Sequence, residues 1–117
     1  MMQTTITCPS GQTIRVEVAC TAAERRRGLS GRYGLLPGTG MLLAFHKPGI
    51  YGITMQAVAF PLDIIWIAGN HAVVDLGINA PAGSFGYRPS RAASYVLETP
   101  AGDIYRLGLK LGDVLRF

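Results

Sequence analysis

The chain has 117 residues, of which 49% are hydrophobic and 15% charged. That is enough apolar material to bury a core without metals or disulfides and too little charge for a disordered chain, so residues 1–117 read as one domain. The formal net charge is +4, and nine of the eleven basic residues are arginine, a balance that suits an anionic group but does not ask for nucleic acid.

No window approaches the roughly 20 apolar residues of a membrane span. Met1–Ser10 lacks the basic and apolar regions of a secretory signal, so the expected location is the cytoplasm. Gln3–Cys8 and Thr13–Cys20 read as a hairpin around Pro9-Ser10-Gly11-Gln12, with Ile14, Val16, Val18 and Cys20 on the inward face. Cys8 lies beside the turn and Cys20 at the far end, roughly 20 Å apart along the strands. That is beyond disulfide reach, and two free thiols fit a reducing compartment.

Thr21-Ala22-Ala23-Glu24 is a capping box that starts a short helix near Ala22, expected to end by Gly31. Arg25, Arg26 and Arg27 lie inside it. Three consecutive helical residues do not share a face, so they do not read as a compact basic patch. Leu29 is the expected anchor onto a sheet, and Pro37-Gly38-Thr39-Gly40 a turn. Met41–Phe45 and Tyr51–Val58 read as strands. In Leu62–Ile67, Leu62, Ile64 and Trp66 face one way and Asp63, Ile65 and Ile67 the other. Both faces are apolar apart from Asp63, which predicts a strand covered on both sides. Gly69-Asn70 turns the chain into a returning strand, Ala72–Leu76. Gly77–Ser90 breaks the pattern and reads as a loop, in which Phe85 and Tyr87 either fold back to cap an open barrel end or, with Arg88, form the candidate partner-binding set. Tyr95–Thr99 is a strand. Asp103 is placed to cap a single helical turn through Gly108, and Leu109–Leu115 ends in a last strand. The predicted fold is mainly β, of the β-rich α+β kind. It is a small antiparallel barrel or sandwich of about seven to nine short strands with one or two short helices.

Little in this chain announces chemistry. His46 and His71 have no neighbour at metal-ligand spacing, and there is no nucleophile elbow, P-loop or dinucleotide fingerprint. No cofactor, metal or reaction is expected. Asp63, at the head of an apolar strand, must be paired or hydrogen-bonded. A lock onto an arginine or the backbone is the structural reading. A site is the functional one, with Asp63, Arg32 and Glu98 lining one pocket. Met55 completes the candidate ligand-binding set, although such a methionine is more often core.

Several segments together resemble a known family. They are Thr21-Ala22-Ala23-Glu24-Arg25-Arg26-Arg27-Gly28-Leu29-Ser30-Gly31-Arg32, Gly40-Met41-Leu42-Leu43-Ala44-Phe45, and Pro61-Leu62-Asp63-Ile64-Ile65-Trp66-Ile67. Tyr95-Val96-Leu97-Glu98, Ala101-Gly102 and Leu109-Lys110-Leu111-Gly112-Asp113-Val114 follow. In this order the chain, from about residue 13 to 117, is similar to the domain-of-unknown-function family 192. The resemblance implies a compact β-rich domain found in bacteria, archaea and some phage genomes, often behind a secretion signal, with no established activity. The family's aromatic-Met-Lys-Asn-Thr run is altered here to Thr54-Met55-Gln56-Ala57-Val58, and its Gly-Leu-Met to Gly28-Leu29-Ser30. These departures move the expectation toward a non-enzymatic structural or protein-interaction module, such as a component of a phage particle. Its partner would be another protein or a second copy, bound through Phe85, Tyr87 and Arg88. The alternative is a small-ligand domain with a pocket at the helix–sheet junction, using Arg32, Met55, Asp63 and Glu98.

Overall fold

A computed structural model describes residues 1–117. The chain forms β1 (Met2–Thr7), β2 (Thr13–Ala19), α1 (Ala22–Arg27), β3 (Thr39–Gly49), β4 (Leu62–Ile67), β5 (Val73–Ala80), β6 (Ala93–Pro100) and α2 (Asp103–Arg106). The six strands make one sheet in the order β1-β2-β3-β6-β4-β5. All neighbours are antiparallel except β2 and β3. Parallel neighbours need a crossover, and α1 with the loop after it provides one. β6 is inserted between β3 and β4. Its backbone passes so close to β3 that a Cβ on Gly40 would sit 2.6 Å from the Glu98 carbonyl oxygen.

Alternation in the central strands sends side chains into two cores. Leu42, Ile65, Ile67 and Leu97 join Ile6, Ile14 and Val16 from the hairpin and Ile104, Leu107 and Leu115 from the C-terminal part. On the other face, Met41, Leu43, Ile64, Trp66 and Val96 pack with Leu29, Met55 and Val58. The mainly β class and the two-sided burial of β4 are as the sequence predicts. No helix is long and apolar enough to cross a membrane.

Strand pairing does not close the sheet into a barrel. Instead the C-terminal segment bonds to both edges. Thr7 and Arg116 exchange backbone hydrogen bonds of 2.8 and 3.0 Å, the Val73 amide donates to the Asp113 carbonyl at 2.8 Å, and the Leu115 amide to the His71 carbonyl at 3.0 Å. One amide at each edge, Thr7 of β1 and Val73 of β5, is thereby used, and an unpaired edge amide is what invites another strand. The His71 ring stacks on Phe117 with centroids 3.8 Å apart.

Several expectations are corrected. There are six strands, not seven to nine, because two predicted ones are not ladder strands. In Tyr51–Val58 only Ile53 forms a bridge, to Tyr87. Met55 and Val58 are both buried on one face, a spacing of three that belongs to a turn, and the Val58 amide donates back to the Met55 carbonyl. The predicted last strand is the bridging C-terminal segment. In the other direction β5 runs on to Ala80, so the loop read at Gly77–Ser90 starts at Pro81. Cys20 is exposed, while Ala19 before it is buried. α1 ends at Arg27, within the bound expected, and Gly28, with a φ of +49° that favours glycine, takes the C-terminal position expected of Gly31. Its capping box forms as predicted, and accepting the Thr21 and Cys20 amides holds the Glu24 carboxyl below its ordinary range. Both cysteines are free, and burial pushes the Cys8 thiol up.

Candidate functional site

The C-terminal end of α1, the segment from Ile50 to Val58 and the face of the sheet enclose a cavity of about 430 Å³. Its floor is set by strand register. Glu98 on β6 lies opposite Met41 of β3 and Ile64 of β4, on the face that packs under α1. It is 5% exposed and lines the cavity together with Leu43 and Gly28. The carboxyl lies against the end of the helix, since a Cβ on Gly28 would be 4.0 Å from Glu98 Oε1. Burial alone pushes Glu98 up to about 7, with no charge or hydrogen bond acting on it.

One wall is cationic and aromatic. Arg25 donates from Nη1 to the carbonyls of Cys20 at 2.7 Å and Ala44 at 2.9 Å. Its guanidinium lies 5.0 Å from the centre of the Phe45 ring, within cation–π range. Phe45 in turn stacks on Tyr51 at 3.6 Å. The Tyr51 hydroxyl donates to the Lys47 carbonyl, and its own carbonyl accepts from Trp66 Nε1 at 2.8 Å. This fastens the loop to the sheet. Arg26 and Arg27 also line the cavity and are exposed. The chain's ion pairs are Arg32–Glu17, Arg106–Asp103 and Lys110–Asp113, which leaves both unpaired.

The predicted site residues do not converge. Asp63 faces away from Glu98, and both its oxygens accept from backbone amides: Asn79 at 2.8 Å, Gly102 at 3.1 Å and Ile104 at 2.8 Å. It is therefore the cap of α2, a role expected of Asp103, whose carboxylate meets Arg106 instead. Adjacent strand residues point to opposite faces, so Asp63 shares a face with neither Ile64 nor, opposite it, Glu98. Arg32 is held by Glu17 and lines a separate cavity of about 210 Å³. Met55 is fully buried beneath the loop. Of the partner-binding set, Phe85 is 71% exposed and Arg88 is exposed. Tyr87 is half-buried against the second core, with its hydroxyl 2.7 Å from that of Ser84.

Sequence reasoning thus found Glu98 but missed its surroundings. Consecutive arginines cannot share a helical face, but α1 ends at the mouth of the cavity, and there all three reach it. The capping box followed by Gly28 is the signal that could have placed them. Phe45 and Tyr51 meet only through the tertiary fold. The altered run contributes Thr54, Ala57 and Val58 to the cavity wall.

The family profile DUF192, "Uncharacterized ACR", matches residues 5–117, eight residues more than the resemblance covered at the N-terminal end. A UPF0127 protein of Thermococcus sibiricus is 32% identical over 105 residues, which is 86% of this chain and 64% of that protein. A second, from Pyrococcus furiosus, is 34% identical over 68 residues, 58% of this chain and 54% of that one. The chain spans less than two thirds of both curated relatives. A crystal structure of a protein of unknown function from Novosphingobium aromaticivorans superposes with a TM-score of 0.90 at 30% identity, covering 99% of this chain and 84% of that one. Another, from Sinorhizobium meliloti and proposed to be a transcription regulator, gives 0.87 at 31%, covering 96% and 89%.

Proposed function

Since this chain belongs to the DUF192 family of uncharacterised proteins, whose name carries no activity, we propose from its own geometry that it is a small-ligand-binding domain. Its site is the cavity between α1 and the sheet. One observation carries this reading: Glu98 is a nearly inaccessible carboxyl with no protein partner, and it faces an open space of small-molecule size. A buried polar group without a partner costs stability, and concave sites with a few convergent polar groups are where small ligands bind. A DNA-binding role, suggested by the description of the Sinorhizobium protein, finds less support here. α1 has six residues and α2 four, which is short for a helix that reads a major groove.

The test is a fragment screen of mixed charge, followed by methyl and amide NMR. Hits should shift Leu43 and Val58, and Ala57→Phe, which puts a ring into the cavity from an exposed position, should abolish them. If no fragment reaches these residues, or if hits survive the blocked cavity, the reading fails. A protein partner or self-association is the second reading, favoured by the exposed ring of Phe85. Phe85→Ser should then lower the sedimentation coefficient or lose the partner. A place in a phage particle would be one instance of that reading and rests on the resemblance alone.

A further inference from the structure

We propose that the cavity takes a small organic anion with an apolar body, held at its mouth by Arg26 and Arg27 and at its floor by Glu98 as a neutral carboxylic acid, so that the anion enters together with a proton. This rests on the ligand-binding reading above and names the ligand class.

Charge decides the sign of the ligand. Three guanidiniums line the cavity against one carboxyl, and Arg26 and Arg27 are not neutralised by any of the chain's ion pairs. A cation would have to pass them to reach Glu98. An anion is drawn in by the same charges and can be gripped by a planar fork of donors. The body of the ligand is set by the rest of the lining, where Leu29, Leu43, Phe45, Ile53 and Val58 present apolar surface. A volume of about 430 Å³ has room for an aromatic or short branched acid.

Glu98 then fixes the proton. An ionised carboxylate at the floor would repel the anion, whereas a carboxylic acid donates one O–H to it. The groups that share the cavity with Glu98 are few. α1 brings Arg25, Arg26 and Arg27 to its wall and mouth, and the loop brings Tyr51, whose hydroxyl is turned to the Lys47 carbonyl. β3 and β4 bring Met41, Leu43 and Ile64, all apolar. Arginine stays charged throughout the physiological range, so Glu98 is the group in this cavity whose charge changes near neutrality, with burial holding it at about 7. A nearby anion raises it further. Binding therefore takes up a proton above that value and weakens as pH rises through it, while below it the affinity is flat.

The experiment uses the full chain and four probes of one size: benzoate, benzenesulfonate, benzylamine and benzyl alcohol, titrated by NMR at pH 6 and 8.5. Benzoate or benzenesulfonate should shift Leu43 and Val58 at pH 6 and bind at least about fivefold more weakly at pH 8.5, within the tenfold per unit that uptake of one proton allows. Glu98→Gln, which keeps a donor but cannot ionise, should remove the pH dependence. Arg26→Ala with Arg27→Ala should weaken anion binding at both pH values. Tighter binding of benzylamine or benzyl alcohol in the cavity, or anion affinity independent of pH in the unaltered chain, overturns the proton-coupled anion while leaving a ligand site in place. If none of the four probes reaches the cavity, the inference falls, and the fragment screen alone decides the ligand-binding reading.

Discussion

Asp63 and Glu98 are buried carboxyls on opposite faces of the same sheet, and they differ in what they are given. Asp63 is fully buried and accepts three backbone amides. Asp63→Ala strands those three donors, and orphaned buried groups cost about 1–3 kcal/mol each, so the change should lower urea-unfolding stability by at least about 3 kcal/mol. A variant as stable as the original chain would mean that solvent or another side chain replaces the carboxylate. That Asp63 is locked was legible from its place at the head of an apolar strand. Its partners were not, because they come from residues 79, 102 and 104, far away in sequence. Glu98 has no such partners. Its ordinary value of 4.5 is raised to about 7, so the folded chain holds a proton in that interval that the unfolded chain has lost. The stability this carries is fully present below pH 4.5 and is lost as pH rises to about 7. A shift of that size corresponds to about 3 kcal/mol. Unfolding at pH 5 and pH 8 should show the fall, and Glu98→Gln should flatten it. A parallel fall in the variant would assign the pH dependence to another group.

Among the elements, α1 and the segment from Ile50 to Val58 depend on contacts of different range. α1 is written locally, in Thr21, Glu24 and Gly28, and the sequence reveals it to within a few residues. The loop is apolar and of strand length, so it reads as a strand. Its backbone nevertheless bonds to the 83–87 turn rather than to the sheet: the Met55 amide donates to Ser84, the Gly83 amide to Met55 and the Ile53 amide to Tyr87. Tyr87 thereby belongs to the scaffold, the fold-back alternative of the sequence reading and not the contact surface. Trp66 supplies the remaining tie through its Nε1 to the Tyr51 carbonyl. Trp66→Phe keeps most of the buried ring but removes that donor. It should cost about 1–3 kcal/mol and speed hydrogen exchange at Ile53 and Met55 more than at β6. Uniform acceleration across all strands would mean that the ring's packing, not its hydrogen bond, holds the loop.

At the scale of the whole molecule, the sheet is finished by its last residues. β1 and β5 are the two ends of the strand order, yet both bond to residues 112–116. A period-2 reading cannot tell a segment that bridges two edges from an ordinary strand, and so it predicts seven to nine strands and leaves barrel and sandwich as alternatives. The bridge is seated by Leu115, 1% exposed in the first core between hairpin and α2, and by the stack of Phe117 on His71. Leu115→Ala should therefore do two things. It should destabilise the fold by about 2–5 kcal/mol, the range for truncating a buried leucine. It should also loosen the bridge before the rest unfolds, exposing the amides of Thr7 and Val73 at the two edges. Hydrogen exchange would detect this as faster exchange at those two amides under native conditions, and sedimentation as new self-association, since free edges template strand pairing. If Leu115→Ala lowers stability with exchange at Thr7 and Val73 still tracking global unfolding, the bridge and the sheet are one cooperative unit. The C-terminal segment would then be part of the core's packing rather than a separable guard over its edges.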